Sequence, residues 1–176
     1  MKKTIAILLM LTISFAAAFA VETATLNLTT TVAGVTNVAV VKASSVPSTF
    51  PTSGIIGDAK QDVTSAPVNY AFVVETNQNL AEVIVQANPL KSGSNFITYT
   101  VTAGSLTSTA TDVAGTAVKL MDASTNTVGK RVTGGVFAVQ GVSTTDGASV
   151  ANHIFGLNNA PAGTYEGSVT IFYTAN

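Results

Sequence analysis

Thr23-Ala24-Thr25-Leu26-Asn27-Leu28-Thr29-Thr30-Thr31-Val32 alternates between two kinds of side chain. Ala24, Leu26, Leu28, Thr30 and Val32 share one side of an extended chain, and Thr23, Thr25, Asn27, Thr29 and Thr31 share the other. A period of two with one aliphatic side predicts a half-buried strand. Gly34 interrupts the pattern, and a second apolar run follows from Val35 to Val41.

Toward the C-terminus the same alternation recurs, with almost no helix signal. Residues 43–67 scatter Pro47, Pro51, Pro67, Gly54 and Gly57 among Ser, Thr and Ala, which predicts a long surface loop with a short edge strand at Gly54–Ile56. Further strands are predicted over Val68–Glu75, Leu80–Ala87, Phe96–Thr102, Ala117–Met121 and Gly135–Gln140. Thr76-Asn77-Gln78-Asn79 reads as a hairpin turn. Asn88-Pro89 closes one strand, Lys91-Ser92-Gly93-Ser94 leads into the next, and Asn126 to Lys130 forms a polar turn. Gly141–Asn152 reads as another loop. The last strand, Gly163–Thr174, places Tyr165, Val169, Ile171 and Tyr173 on one face and Glu166, Ser168, Thr170 and Phe172 on the other. Short alternating strands punctuated this often predict an all-β chain folded as a β-sandwich, with no internal repeat or domain linker.

Toward the N-terminus lies an export signal. Lys2 and Lys3 give a positive start, an apolar run extends from Ile5 through Phe15, and Ala18-Phe19-Ala20 supplies the small-x-small pattern of a cleavage site between Ala20 and Val21. An uncleaved anchor is the alternative, but the apolar run is short for a bilayer. Cleavage would leave residues 21–176, about one domain, large enough to bury a core.

The chain has no cysteine, so stability has to come from packing, hydrogen bonding and association, even in an oxidising compartment. Without Lys2 and Lys3, six basic side chains face nine acidic ones, and charged residues make up 10% of the precursor. That thin negative balance offers no basic stripe for nucleic acid or anionic lipid. Such a coat suits a protein that lives among its own copies, or a weakly charged secreted monomer.

Catalytic readings lack parts. His153 is the single histidine, and without cysteine neither a paired-histidine site nor a thiolate site can be drawn, so no metal or cofactor is expected. Ser149, His153 and Asp146 could be written as a triad, but no nucleophile-elbow sequence accompanies them, and a solvated loop histidine is the better reading. Glu75, Glu82, Asp112, Asp122, Asp146 and Glu166 lie in turns or on solvent-facing positions, which argues against a glycosidase pair. The aspartates do not approach calcium-loop spacing. Gly134-Gly135 reads as a turn or bulge rather than a phosphate cradle. Asn27-Leu28-Thr29 matches a glycosylation acceptor within a predicted strand. Tyr70, Phe72, Tyr99, Phe137, Phe172 and Tyr173 could form a sugar platform, but core packing is the stronger reading, and the chain has no tryptophan. A non-enzymatic role is expected.

The two ends carry a resemblance. Val21-Glu22 followed by Ala24-x-Leu26-x-Leu28-x-Thr30-x-Val32 resembles the N-terminal extension of chaperone–usher pilins, nearest the cysteine-free major subunits of class 5 (CFA/I-like) fimbriae, whose mature chains similarly open with Val-Glu. The close from Pro161-Ala162-Gly163-Thr164-Tyr165-Glu166-Gly167 to Tyr173 is similar to the Pro-x-Ala-Gly-x-Tyr-x-Gly ending of those subunits, and to the Ala-Gly-Thr-Tyr-x-Gly ending of other pilin-like secreted domains.

This resemblance implies an immunoglobulin-like, pilin-type β-sandwich (34–176) that lacks one strand, preceded by a donor-strand extension (21–33). It further implies that Ala24, Leu26, Leu28, Thr30 and Val32 insert into a neighbouring copy, while Tyr165, Val169, Ile171 and Tyr173 line the acceptor groove or meet a chaperone. The function so implied is a structural subunit of an adhesive surface fimbria, built as a head-to-tail homopolymer. Its implied partners are a periplasmic chaperone, an outer-membrane usher and a host or surface receptor, with no nucleic acid. The rival reading is a monomeric secreted adhesin or carbohydrate-binding sandwich whose N-terminal strand folds back on itself.

Overall fold

The computed structural model describes residues 33–57, 60–144 and 152–175. Among them the chain forms strands and no α-helix, in three sheets. The larger sheet orders β1 (Thr36–Val41), β2 (Val68–Thr76), β9 (Arg131–Gly141), β6 (Tyr99–Ala103) and β7 (Leu106–Ala110), all antiparallel. A second antiparallel sheet orders β11 (Val169–Phe172), β3 (Val83–Ala87) and β8 (Val118–Met121). The third is small: β4 (Leu90–Ser92) pairs antiparallel with β5 (Asn95–Ile97), and β10 (Ile154–Phe155) pairs parallel with β5.

The core lies between the first two sheets. Tyr70, Phe72 and Val74 of β2, Tyr99 and Val101 of β6, and Phe137 and Val139 of β9 pack with Val83, Val85 and Ala87 of β3 and Val118 of β8. Strict alternation puts these side chains inward. On β6, for instance, Thr100 and Thr102 between them are only half-buried. β2 is the exception, being buried on both faces. Ala71 and Val73 point to its outer side, where Val41, Ala43, Phe50, Val132 and Val136 form a second apolar cluster. That double burial accounts for the unbroken apolar run Tyr70–Val74.

Two hairpins turn on two residues. Gly93-Ser94 joins β4 to β5, and Gly104-Ser105 joins β6 to β7, with φ of 58° at each glycine. A left-handed first central residue is the arrangement that matches the twist of the flanking strands.

Several expectations need revision. Thr76–Asn79 is not a hairpin turn, because β2 and β3 belong to different sheets and the segment crosses the core. Gly134 and Gly135 form neither turn nor bulge. They lie within β9 opposite Val73 and Phe72, where a Cβ on Gly134 would overlap the Phe72 carbonyl oxygen and one on Gly135 would meet Leu120. The strand expected at Phe96–Thr102 is broken at Thr98 into β5 and β6. The final strand is shorter than 163–174: Glu166 bridges to Lys91, and β11 begins at Val169. Gly54–Ile56 behaves as expected, with Ile55 bridged to Val41 and Ile56 N–H donating to Val40 O at 2.8 Å.

Candidate functional site

Of the residues singled out in the sequence, Ala20, Val21, Ala24, Leu26, Leu28, Thr30 and Val32 lie outside the described residues, as do Asn27, Asp146 and Ser149. His153 is exposed in a left-handed conformation (φ 59°), with Nδ1 3.1 Å from Asn95 Oδ1. Acidic groups are spread out over the surface. Glu75 accepts a hydrogen bond from Asn37 and pairs with Lys130 at 3.0 Å, and these contacts hold its carboxyl below the usual range. Glu166 is lowered in the same way by Lys60, and Glu82 and Asp122 both face Lys119. Among the described residues no three acidic, histidine or cysteine groups come together in a way that could hold a metal.

The feature that stands out is an open side of the sandwich. Among the described strands β1 lies at the edge of its sheet, and its Thr36, Val38 and Val40 stand opposite Thr76, Val74 and Phe72 of β2. Val74 and Phe72 are buried core residues, so Val38 and Val40 face the core as well. Yet Val38 is 41% exposed. β11 is an edge strand too, and among the described strands it pairs with β3 alone. Beyond its end the Tyr173 ring packs on Phe72, with centroids 5.5 Å apart, and Tyr173 remains 39% exposed.

Phe72 therefore forms a floor, flanked by Val38 and Val40 on one side and by Ile171 and Tyr173 on the other. Among the described residues, neither flanking strand has a backbone partner along its outer edge, β1 over residues 36–39 and β11 over 169–172. An apolar floor between two such edges has the chemistry to take an extended segment, which would supply main-chain hydrogen bonds on its edges and aliphatic side chains at every second position.

Three of the four expected C-terminal residues reach this side: Val169 and Ile171, half-buried against the core, and Tyr173. Tyr165 does not. It precedes β11, and its hydroxyl donates to Pro161 O at 3.1 Å. Val38, Val40 and Phe72 were not singled out as groove residues from the sequence. Their alternation was visible, but their common face depends on the pairing of β1 with β2.

No family model matches the chain, and neither does any curated protein or any solved structure.

Proposed function

We propose that the chain is an exported structural subunit of a surface fimbria, which polymerises when the segment 21–33 of one copy enters the open side of the next. The observation that supports this reading is the half-exposed, core-facing pair Val38 and Tyr173, set between two strand edges that have no partner among the described residues. In this reading the domain is an immunoglobulin-like sandwich short of one strand, and Ala24, Leu26, Leu28, Thr30 and Val32 are the inserting side chains. Burial of the two leucines and Val32 alone contributes roughly 5–9 kcal/mol before any main-chain hydrogen bond. The contact is head-to-tail and does not close, so repetition gives a fibre that supports adhesion. A chaperone strand would shield the same groove during transit, before an usher passes the subunit outward. The role is architectural, with no chemistry performed on a substrate.

Deleting residues 21–33 from the mature chain should abolish polymerisation, and grafting the same segment after Asn176 should give a monomer of raised stability. Light scattering and thermal unfolding read both outcomes. A deleted chain that still forms fibres, or a graft that leaves stability unchanged, would refute the proposal. A secreted monomeric module would instead lose some stability on deletion and show no polymer at any stage.

A further inference from the structure

The described chain begins where the segment 21–32 joins the domain, and that junction is held by an unusual set of polar contacts. Asn77 Nδ2 donates to Ala33 O at 3.0 Å, and Asn77 Oδ1 accepts from Val35 N–H at 2.7 Å. Its own backbone N–H donates to Val35 O at 3.3 Å. The side-chain amide thus does what a neighbouring strand would do, bonding a carbonyl and an N–H two residues apart. Thr36 Oγ1 donates to Gln78 Oε1 at 2.9 Å, and Thr76 Oγ1 donates to Val35 O at 2.8 Å. The Gln78 side chain occupies the space where a Cβ on Gly34 would stand.

These contacts fix a direction. To fill its own groove alongside β1, the segment 21–32 would have to reverse into β1, and the two- and three-residue turns that do this most tightly need a left-handed residue. Gly34 is the single glycine between Val21 and Val35, and it is not in the left-handed region. The positions just before it, Thr31, Val32 and Ala33, are poor at positive φ. Asn77 and Gln78 therefore hold the one glycine at the junction away from a tight reversal.

We infer that Asn77, with Gln78, is a positioning clasp that keeps residues 33–36 extended, so that the segment 21–32 is delivered to a second copy of this chain and not to its own groove. The inference rests on the fibre reading and adds to it the device that selects the partner. Asn77 touches the junction, not the groove, and it could be exchanged without altering Val38, Phe72, Ile171 or Tyr173.

The test uses the full mature chain, residues 21–176, with Asn77→Ala and with Asn77→Asp. The second variant keeps the acceptor for Val35 N–H but loses the donor to Ala33 O, and it serves if the first does not fold. Polymer is measured by light scattering, and open grooves by capture of a fluorescent peptide of residues 21–33. The parent should polymerise and, when dilute, take up the peptide. The variants should give folded monomers whose peptide capture is at least tenfold lower, because their grooves are filled from within. Variants that polymerise like the parent would overturn the clasp, as would variants that stay monomeric yet still capture peptide. A parent that neither polymerises nor captures peptide would instead remove the fibre reading, and the clasp with it.

Discussion

Tyr99 is buried on β6, yet its hydroxyl serves the opposite sheet. It lies 2.7 Å from Asn88 O and 2.8 Å from Ser168 O, and it accepts from Asn88 N–H at 3.1 Å. One phenol thus ties the end of β3 to the approach of β11, across the core. Burial pushes its pKa up to about 12, and the hydrogen bond to Asn88 opposes the rise only in part. Replacing it by phenylalanine removes the hydroxyl donor to Asn88 O, while Asn88 N–H and Ser168 O keep their 3.0 Å bond to each other, so Tyr99→Phe should cost about 1–3 kcal/mol at neutral pH in urea unfolding. The pH dependence has a definite sign. The folded state keeps the phenol proton more tightly than the unfolded chain, so this stabilisation is complete below pH 10 and is lost between pH 10 and about 12. The gap between parent and variant should be flat up to pH 10 and then shrink. Tyr70, also raised by burial, titrates in both proteins and cancels from the comparison. A gap that widens above pH 10 would show that the phenol is not held in its neutral form.

At the scale of the strand, β11 has two faces that do different work. Ile171, and Tyr173 just beyond the strand, face the core side, whereas Phe172 stands opposite Ile84 on the outer side and is 46% exposed. If the open side receives a strand, that strand would cover Tyr173, and Tyr173→Ala should weaken capture of the 21–33 peptide by up to about tenfold, since an aromatic contact is worth about 0.5–1.5 kcal/mol and about 1.4 kcal/mol is tenfold. Phe172→Ala should leave capture unchanged, as measured by fluorescence titration. The reverse order of effects would place the acceptor surface on the outer face. The alternation that defines these faces was legible in the sequence, as was β8, while β1 and β2 showed as apolar runs, β2 because both of its faces are buried. β7 was not legible. Its inward residues are Ser108 and Ala110, and Ser108 is buried because its Oγ accepts from Ala87 N–H at 3.1 Å. A strand whose core side is small and polar carries no hydrophobic signal. Thr76–Asn79 misled for a related reason. Its turn chemistry is genuine, but a local pattern does not say whether the following strand returns to the same sheet or crosses to the other. The open side was out of reach for the same cause, since it depends on which strands end up at the edges.

At the scale of the whole molecule, the proposed fibre has little charge with which to hold its copies together. The ion pairs of Lys60, Lys119 and Lys130 lie at the surface, where each contributes little and is screened by salt. The residues flanking the open side, Val38, Val40, Phe72, Ile171 and Tyr173, carry no charge, and neither do Ala24, Leu26, Leu28, Thr30 and Val32. Association through these surfaces removes apolar area from water and adds main-chain hydrogen bonds, and neither contribution has a strong ionic-strength term. Excluded salts such as sulfate strengthen burial of this kind. If the chain polymerises as proposed, fibres assembled at low ionic strength should persist when sodium chloride is raised to about 1 M, where the screening length falls to about 3 Å, and sulfate should speed their growth. Sedimentation of the polymer across a salt series measures this directly. Dissolution in sodium chloride would mean that charged surfaces join the copies, and the apolar groove would lose its role in assembly.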